Sequence, residues 1–145
     1  MKYISTRGQK QQLSFTETLL TGLAPDGGLY VPVEFPSFSE SDLKKMAKMD
    51  YAELAYNIML PFIGDTIEPD IFKNIIQETY CNFNHPAIAP LVQTQKNEWI
   101  LELYHGPTLA FKDFALQLLG KLLEHTITKS QEKVVILGAT SGDTR

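Results

Sequence analysis

HGPTLAFKDFALQLLG, residues 105–120, is the stretch on which the reading of this chain turns. A constrained loop, Gly106-Pro107-Thr108, leads to Lys112 at the start of an amphipathic segment. From Lys112 to Ile127 apolar residues recur with helical period and set Ala115, Leu118, Leu119, Leu122 and Ile127 on one face. Upstream, Leu91–Gln95 and Trp99–Leu103 read as strands about a Lys96-Asn97-Glu98 turn. Downstream, Lys133–Leu137 is a short apolar, β-branched run of the kind found in parallel strands buried on both faces. Strand, helix and strand in that order make a βαβ unit, whose crossover is right-handed. Loops 104–111 and 138–144 would then follow the carboxyl ends of strands, where open α/β sheets bind ligands. The expected fold class is α/β: a small helical domain over residues 1–84, then the first βαβ part of a parallel sheet over 85–145.

The amino-terminal part is punctuated by helix signals. Ser14 followed by Glu17 is a capping-box pattern, and Gly22 is a natural stop. The helix between them would bury Phe15, Leu19 and Leu20. Ala24-Pro25-Asp26-Gly27-Gly28 is a turn by composition, and Leu29-Tyr30-Val31 a short strand. A second helix is expected from Glu40 to Met49 with Leu43, Met46 and Ala47 inward. Asp50 caps a third through Leu60, which Pro61 and Gly64 end. Pro69 suits the first turn of a fourth, through Tyr80, with Ile71, Phe72, Ile75, Ile76 and Thr79 as its apolar face.

Composition narrows the function classes. The 145 residues suffice for one ordinary domain, and 43% hydrophobic with 21% charged residues fits a soluble globular protein. Net charge is −4 with no basic stripe, which argues against a nucleic-acid partner. No signal peptide is expected, and the apolar runs are too short to span a bilayer, so no membrane partner is expected either. Cys81 is the only cysteine, which suits the cytoplasm, and a buried structural thiol is its expected role. The three histidines, His85, His105 and His125, lie 20 residues apart, unlike any metal-ligand spacing, so no metal is expected.

Two segments carry candidate chemistry. Lys112 at a helix N-terminus sits where backbone N–H groups point outward and the dipole is positive, a place suited to an anionic cofactor group and to an amine that works in its neutral form. A lysine amine can form a Schiff base with an aldehyde; a solvated surface lysine is the alternative role. Asp113 would interact favourably with the helix dipole. Phe111 and Phe114 have two candidate roles, beside a cofactor ring or in the core. The second segment is Ala139-Thr140-Ser141-Gly142-Asp143-Thr144, whose small residues and hydroxyls suit backbone approach to an anion or, equally, a capped helix start. A Walker A loop is excluded, since Phe111 and Asp113 flank Lys112 where Gly and Ser or Thr are needed. Gly138 and Gly142 do not complete a dinucleotide fingerprint.

Three stretches together resemble one family. HGPTLAFKDFALQLLG (105–120) is similar to the cofactor-lysine segment of the threonine synthases, within the fold-type-II, tryptophan-synthase-β-like group of pyridoxal-phosphate (PLP) enzymes. ISTRGQ (4–9) with LLTGLAPDGGLYVP (19–32) resembles that family's amino-terminal region, and LGATSGDT (137–144) its substrate-carboxylate loop. The resemblance implies that O-phospho-L-homoserine and water become L-threonine and phosphate. It implies that Lys112 carries PLP as a Schiff base and then shuttles protons, with Phe111 a cofactor neighbour. Thr140, Ser141, Gly142 and Thr144 would hold the substrate α-carboxylate, and Asp143 would lie near the PLP 3-hydroxyl, where many relatives carry Asn. His105 belongs to the motif and is a candidate ligand contact.

The chain departs from the family at Arg145, where a Gly is expected, and the later loops for the PLP phosphate and pyridine nitrogen are not found. The expectation is therefore an amino-terminal part of a longer enzyme, inactive by itself. Two alternatives stand beside it: another fold-type-II PLP lyase, such as a threonine dehydratase or phospholyase-like homologue, and a truncated non-catalytic chain. The oligomeric state stays open.

Overall fold

The computed structural model describes residues 1–130, with Val135 and Gly142 beyond them. Two compact units divide the chain, Met1–Asn74 and Ile75–Arg145. Helices and small sheets share the described residues, so the class is α/β.

The first unit is built on a short antiparallel pair, β1 (Tyr3–Ser5) with β2 (Tyr30–Pro32), in which Tyr3 faces Pro32 and Ser5 faces Tyr30. Leu13 bridges back to Tyr3 through two backbone hydrogen bonds of 2.8 and 3.0 Å, so β1 is paired on both sides. Helix α1 (Phe15–Thr21) starts at the Ser14 capping box: the Glu17 amide donates to Ser14 Oγ, and the Ser14 amide donates to the Glu17 carboxylate at 2.7 Å. That second bond, with the Ser14 hydroxyl, holds the Glu17 carboxyl below its ordinary value. Gly22 ends the helix with φ +72°. Phe15, Leu19 and Leu20 are half-buried rather than buried, because α1 is only two turns long.

Helix α2 (Glu40–Met46) repeats the device with Ser39 and Asp42, but stops a turn earlier than expected. Leu43 is 56% exposed and Ala47 is exposed, so the expected inward face is not formed. Helix α3 (Tyr51–Ile63) starts at Asp50, whose carboxylate accepts the Glu53 amide at 2.8 Å. It runs through Pro61 instead of ending before it. A proline lacks one helical donor, yet here the helix continues for one more half-turn to Gly64, whose φ of +61° makes the stop. Helix α4 (Pro69–Tyr80) has the expected bounds, and Phe72 is fully buried beside Tyr56, with ring centroids 5.8 Å apart.

Asp26 ties the amino-terminal segment to the Pro-Asp-Gly-Gly turn. One carboxylate oxygen accepts from Ser5 Oγ at 2.7 Å and the Gly28 amide at 2.9 Å, and the other accepts from the Gln9 amide at 3.2 Å. The Arg7 guanidinium donates to the Asp26 carbonyl at 3.3 Å. The Ser5 hydroxyl first, then the Gly28 amide, hold this carboxyl below the ordinary aspartate value. A depressed folded pKa contributes stability above the unfolded value and loses it as pH falls through the folded one. Asp26→Asn is therefore expected to lower the melting temperature at neutral pH and to converge with wild type below about pH 4. Melting curves that stay parallel across that range would show that the carboxylate contributes nothing.

The second unit begins within α4, whose Ile75, Ile76, Thr79 and Tyr80 are buried. Tyr80, Phe83 and Phe114 form an aromatic stack, with centroids 5.5 Å apart and then 4.9 Å edge to face. The Tyr80 hydroxyl donates to the Phe114 carbonyl at 3.1 Å. Strands β3 (Leu91–Gln95) and β4 (Glu98–Leu101) form an antiparallel hairpin, with Leu91 opposite Leu101 and a register shift between Gln93 and Gln95. Asn97 makes the turn at φ +64°, a conformation asparagine tolerates. Every residue of both strands is exposed.

Helix α5 (Asp113–Ser130) starts one residue after Lys112 and outruns the expected end at Ile127. Leu118 and Leu122 are buried as expected, and Thr126 joins them, whereas Ala115 and Leu119 are exposed. Lys121 Nζ lies 2.9 Å from Glu78 on α4. Cys81 is exposed, contrary to the buried role expected of it, because it follows the end of α4; its thiol donates to the Glu78 carbonyl at 3.3 Å. The expected strand Lys133–Leu137 lies outside the described residues apart from Val135, which is exposed and in no regular element. No helix among the described residues is long and apolar enough to cross a membrane.

Candidate active site

The loop ahead of α5 is anchored at its entry. The Asn84 amide donates to the His105 carbonyl at 2.8 Å, and the Glu102 amide to the Pro90 carbonyl at 3.0 Å. His105 Nε2 lies 2.7 Å from a Glu102 carboxylate oxygen, and the His105 ring sits against Tyr104 at 4.6 Å and His85 at 4.8 Å. The hydrogen bond from His105, then that from Tyr104, holds the Glu102 carboxyl below its ordinary value. The same bond to Glu102 pushes the Tyr104 hydroxyl upward. The carboxylate fixes the His105 ring, as a carboxylate partner generally does.

The loop then winds through tight turns. The Leu109 amide donates to the Gly106 carbonyl at 3.1 Å, and Leu109 takes φ +62°. A left-handed backbone costs a non-glycine residue about 1–2 kcal/mol, so something must hold it. Asp113 supplies the hold. Its side chain is 3% exposed; one carboxylate oxygen accepts from the Thr108 amide at 2.9 Å, and the other from Thr108 Oγ1 at 2.8 Å and Gln117 Nε2 at 3.3 Å. A hydrogen bond to a charged group contributes about 1.5–3 kcal/mol, enough for this pair to offset the Leu109 strain. Gly106 packs directly on that carboxylate, and a Cβ at position 106 would collide with it.

Lys112 is the last residue before α5 and is half-exposed. Its carbonyl accepts the Ala115 amide at 3.1 Å and the Leu116 amide at 2.8 Å, so its backbone is pinned into the first turn. Its Nζ lies 5.8 Å from the centroid of the Phe111 ring, within cation–π reach. Phe111 is 60% exposed and Phe114 faces Phe83, so the two phenylalanines divide between the open side of the loop and the core. Lys112 and Phe111 are thus brought together. Thr140, Ser141, Asp143 and Thr144 lie outside the described residues; Gly142 has φ +116°, a backbone open chiefly to glycine. Among the described residues no group of three or more histidine, cysteine or acidic side chains is placed to hold a metal.

Sequence reasoning gave Asp113 a dipole role and missed its grip on Thr108. The available signal was the spacing of a threonine and an aspartate around a Gly-Pro turn, which says that a loop closes but not onto what.

The fold is that of the amino-terminal region of solved threonine synthases. PLP-bound threonine synthase from Brucella melitensis superposes with a TM-score of 0.95 at 47% identity, over 99% of this chain and 31% of that one. Threonine synthase from yeast gives 0.82 at 38% identity, over 89% of this chain and 27% of that one. In sequence, threonine synthase of Pseudomonas aeruginosa is 57% identical over 144 residues, which are 99% of this chain and 31% of that protein. The family model described as threonine synthase N terminus matches residues 2–80. The chain belongs to the threonine synthase family, and it spans 31% of the length of that Pseudomonas relative.

Proposed function

We propose that this chain is the amino-terminal part of a threonine synthase that converts O-phospho-L-homoserine and water into L-threonine and phosphate in the cytoplasm. Residues 1–84 form its amino-terminal domain and 85–145 the start of its PLP-binding catalytic domain, inactive without the rest. The observation that carries this reading is Lys112 at the head of α5, on a loop closed by a buried carboxylate, in a chain of this family.

The donor set fits PLP. A primary amine stands at a helix N-terminus, an exposed aromatic ring lies beside it, and Gly106 keeps the loop tight where a side chain would not pass. Lys112 would hold the cofactor through its amine, with Phe111 beside the ring and Asp143 near the 3-hydroxyl. When bound, PLP supplies an electron sink for charge developing beside Cα. The protein's own groups do the rest. Lys112 would take and return protons along the substrate carbons. Thr140, Ser141, Gly142 and Thr144 bind the α-carboxylate and fix which bonds face the lysine. The phosphate leaves from Cγ and water adds at Cβ.

The test is product analysis on the protein expressed from its own gene. Phosphohomoserine should yield phosphate and threonine in equal amounts. Formation of an oxo acid and ammonia from threonine, with phosphohomoserine untouched, would make it a dehydratase instead.

A further inference from the structure

We propose that Asp113 is a positioning residue for the cofactor lysine, acting with Thr108 as a two-point clamp that fixes where Lys112 begins. This rests on the reading of Lys112 as that lysine.

An acidic residue placed only for the helix dipole needs no hydrogen-bond partner. Asp113 does the opposite. It is buried, and both its oxygens are taken by a single residue five positions earlier, one by the Thr108 amide and one by its hydroxyl. That pairing fixes the orientation of Thr108 as well as its distance. Between the two clamped residues lie only Leu109, Ala110, Phe111 and Lys112. The Asp113 amide returns to the Ala110 carbonyl at 3.0 Å and the Phe114 amide to the Phe111 carbonyl at 3.4 Å, so the segment enters α5 through successive four-residue turns. Gln117, one turn into α5, locks the carboxylate from the helix side.

The consequence falls on Lys112. Its backbone is held on the helix side by the Ala115 and Leu116 amides and on the loop side by the clamp. A lysine that must hold a cofactor, release it and then carry protons needs a fixed Cα from which its amine reaches the same place each time. Misplacement of a reacting group by about 1 Å can cost about a hundred-fold in rate. Asparagine is isosteric with aspartate, so it keeps the geometry of the clamp while giving up the added strength of bonds to a charge, provided Gln117 turns its amide to present oxygen. The asparagine oxygen can accept the Thr108 amide while its nitrogen donates to the Thr108 hydroxyl, which serves as either partner.

The test uses the protein expressed from its own gene, as wild type, Asp113→Ala, Asp113→Asn and Thr108→Val. Each is incubated with PLP and reduced with borohydride, and the cofactor fixed on the Lys112 peptide is counted by mass against time. Steady-state kinetics follow on the same samples. Wild type should label at Lys112. Asp113→Ala should label at least about ten-fold more slowly and lose about a hundred-fold in kcat, with KM for substrate little changed. Asp113→Asn should recover most of both. Thr108→Val, which removes one of the two points, should fall between and remains informative if Asp113→Ala does not fold. Labelling of Asp113→Ala or Thr108→Val at the wild-type rate would overturn the clamp, and so would an asparagine variant no better than alanine. Failure of wild type to label at Lys112 would instead overturn the cofactor-lysine reading on which it rests.

Discussion

Lys112→Ala is expected to abolish both turnover and the visible absorbance of bound PLP, while the protein keeps its fold. The loss should be essentially complete, because no other group in the loop can replace the amine. Phe111 and Phe114 carry no nucleophile, and the Asp113 carboxylate is committed to Thr108 and Gln117. The fold should survive because Lys112 is half-exposed and holds the first turn of α5 through its backbone carbonyl, which alanine retains. Circular dichroism and a thermal melt of the apo protein would report the fold, and the visible spectrum after PLP addition would report the site. A variant that still turns over phosphohomoserine would remove Lys112 from the chemistry altogether.

Gly106→Ala should have the next largest effect, about a hundred-fold weaker retention of PLP, or about 2.7 kcal/mol. The added methyl would occupy the space of the Asp113 carboxylate, so either the turn or the carboxylate must move. Moving the carboxylate gives up hydrogen bonds to a charged group and leaves part of a buried charge unsatisfied. Moving the turn displaces Leu109 from the left-handed conformation on which the loop depends. Gly120→Ala is the control. Gly120 lies inside α5 with no heavy atom of the described residues near the position of an added Cβ, so alanine there should be neutral or stabilise the helix by up to about 1 kcal/mol. Equilibrium titration of each apo protein with PLP would compare them. Equal affinities for the two variants would mean that the packing of Gly106 against Asp113 is irrelevant to the cofactor.

What could be read from the sequence was whatever local chemistry decides. The capping box at Ser14–Glu17 and the bounds of α4 from Pro69 to Tyr80 depend on neighbours a few residues away, and both are found as expected. So is the span of β3, whereas β4 takes Glu98 from the expected Lys96-Asn97-Glu98 turn and ends at Leu101 instead of Leu103. Pro61 misled because a proline in the last turn removes one donor without dictating where the chain turns; Gly64, with its left-handed backbone, does that. Leu43 and Cys81 misled for a different reason. Apolar character states a preference for burial, but burial also needs an opposing surface, and α2 and the end of α4 present these residues to solvent. At the site, the place of Lys112 at a helix start was legible because loop composition and helical period meet there. The grip of Asp113 on Thr108 was not, since it depends on how a loop folds back on itself. The pairing of Glu102 with His105 was hidden for the same reason, because nothing in the spacing of the histidines pointed to a carboxylate.

The exposed hairpin has an optical consequence. Trp99 is the only tryptophan of the chain, and it sits on β4 at 51% exposure. Emission selected for tryptophan therefore samples the surroundings of one strand. A shift of that emission to shorter wavelength signals that something has covered the hairpin, even when every helix is unchanged. A fluorescence melt of this chain therefore reads the surroundings of its hairpin, and a circular-dichroism melt reads its helices.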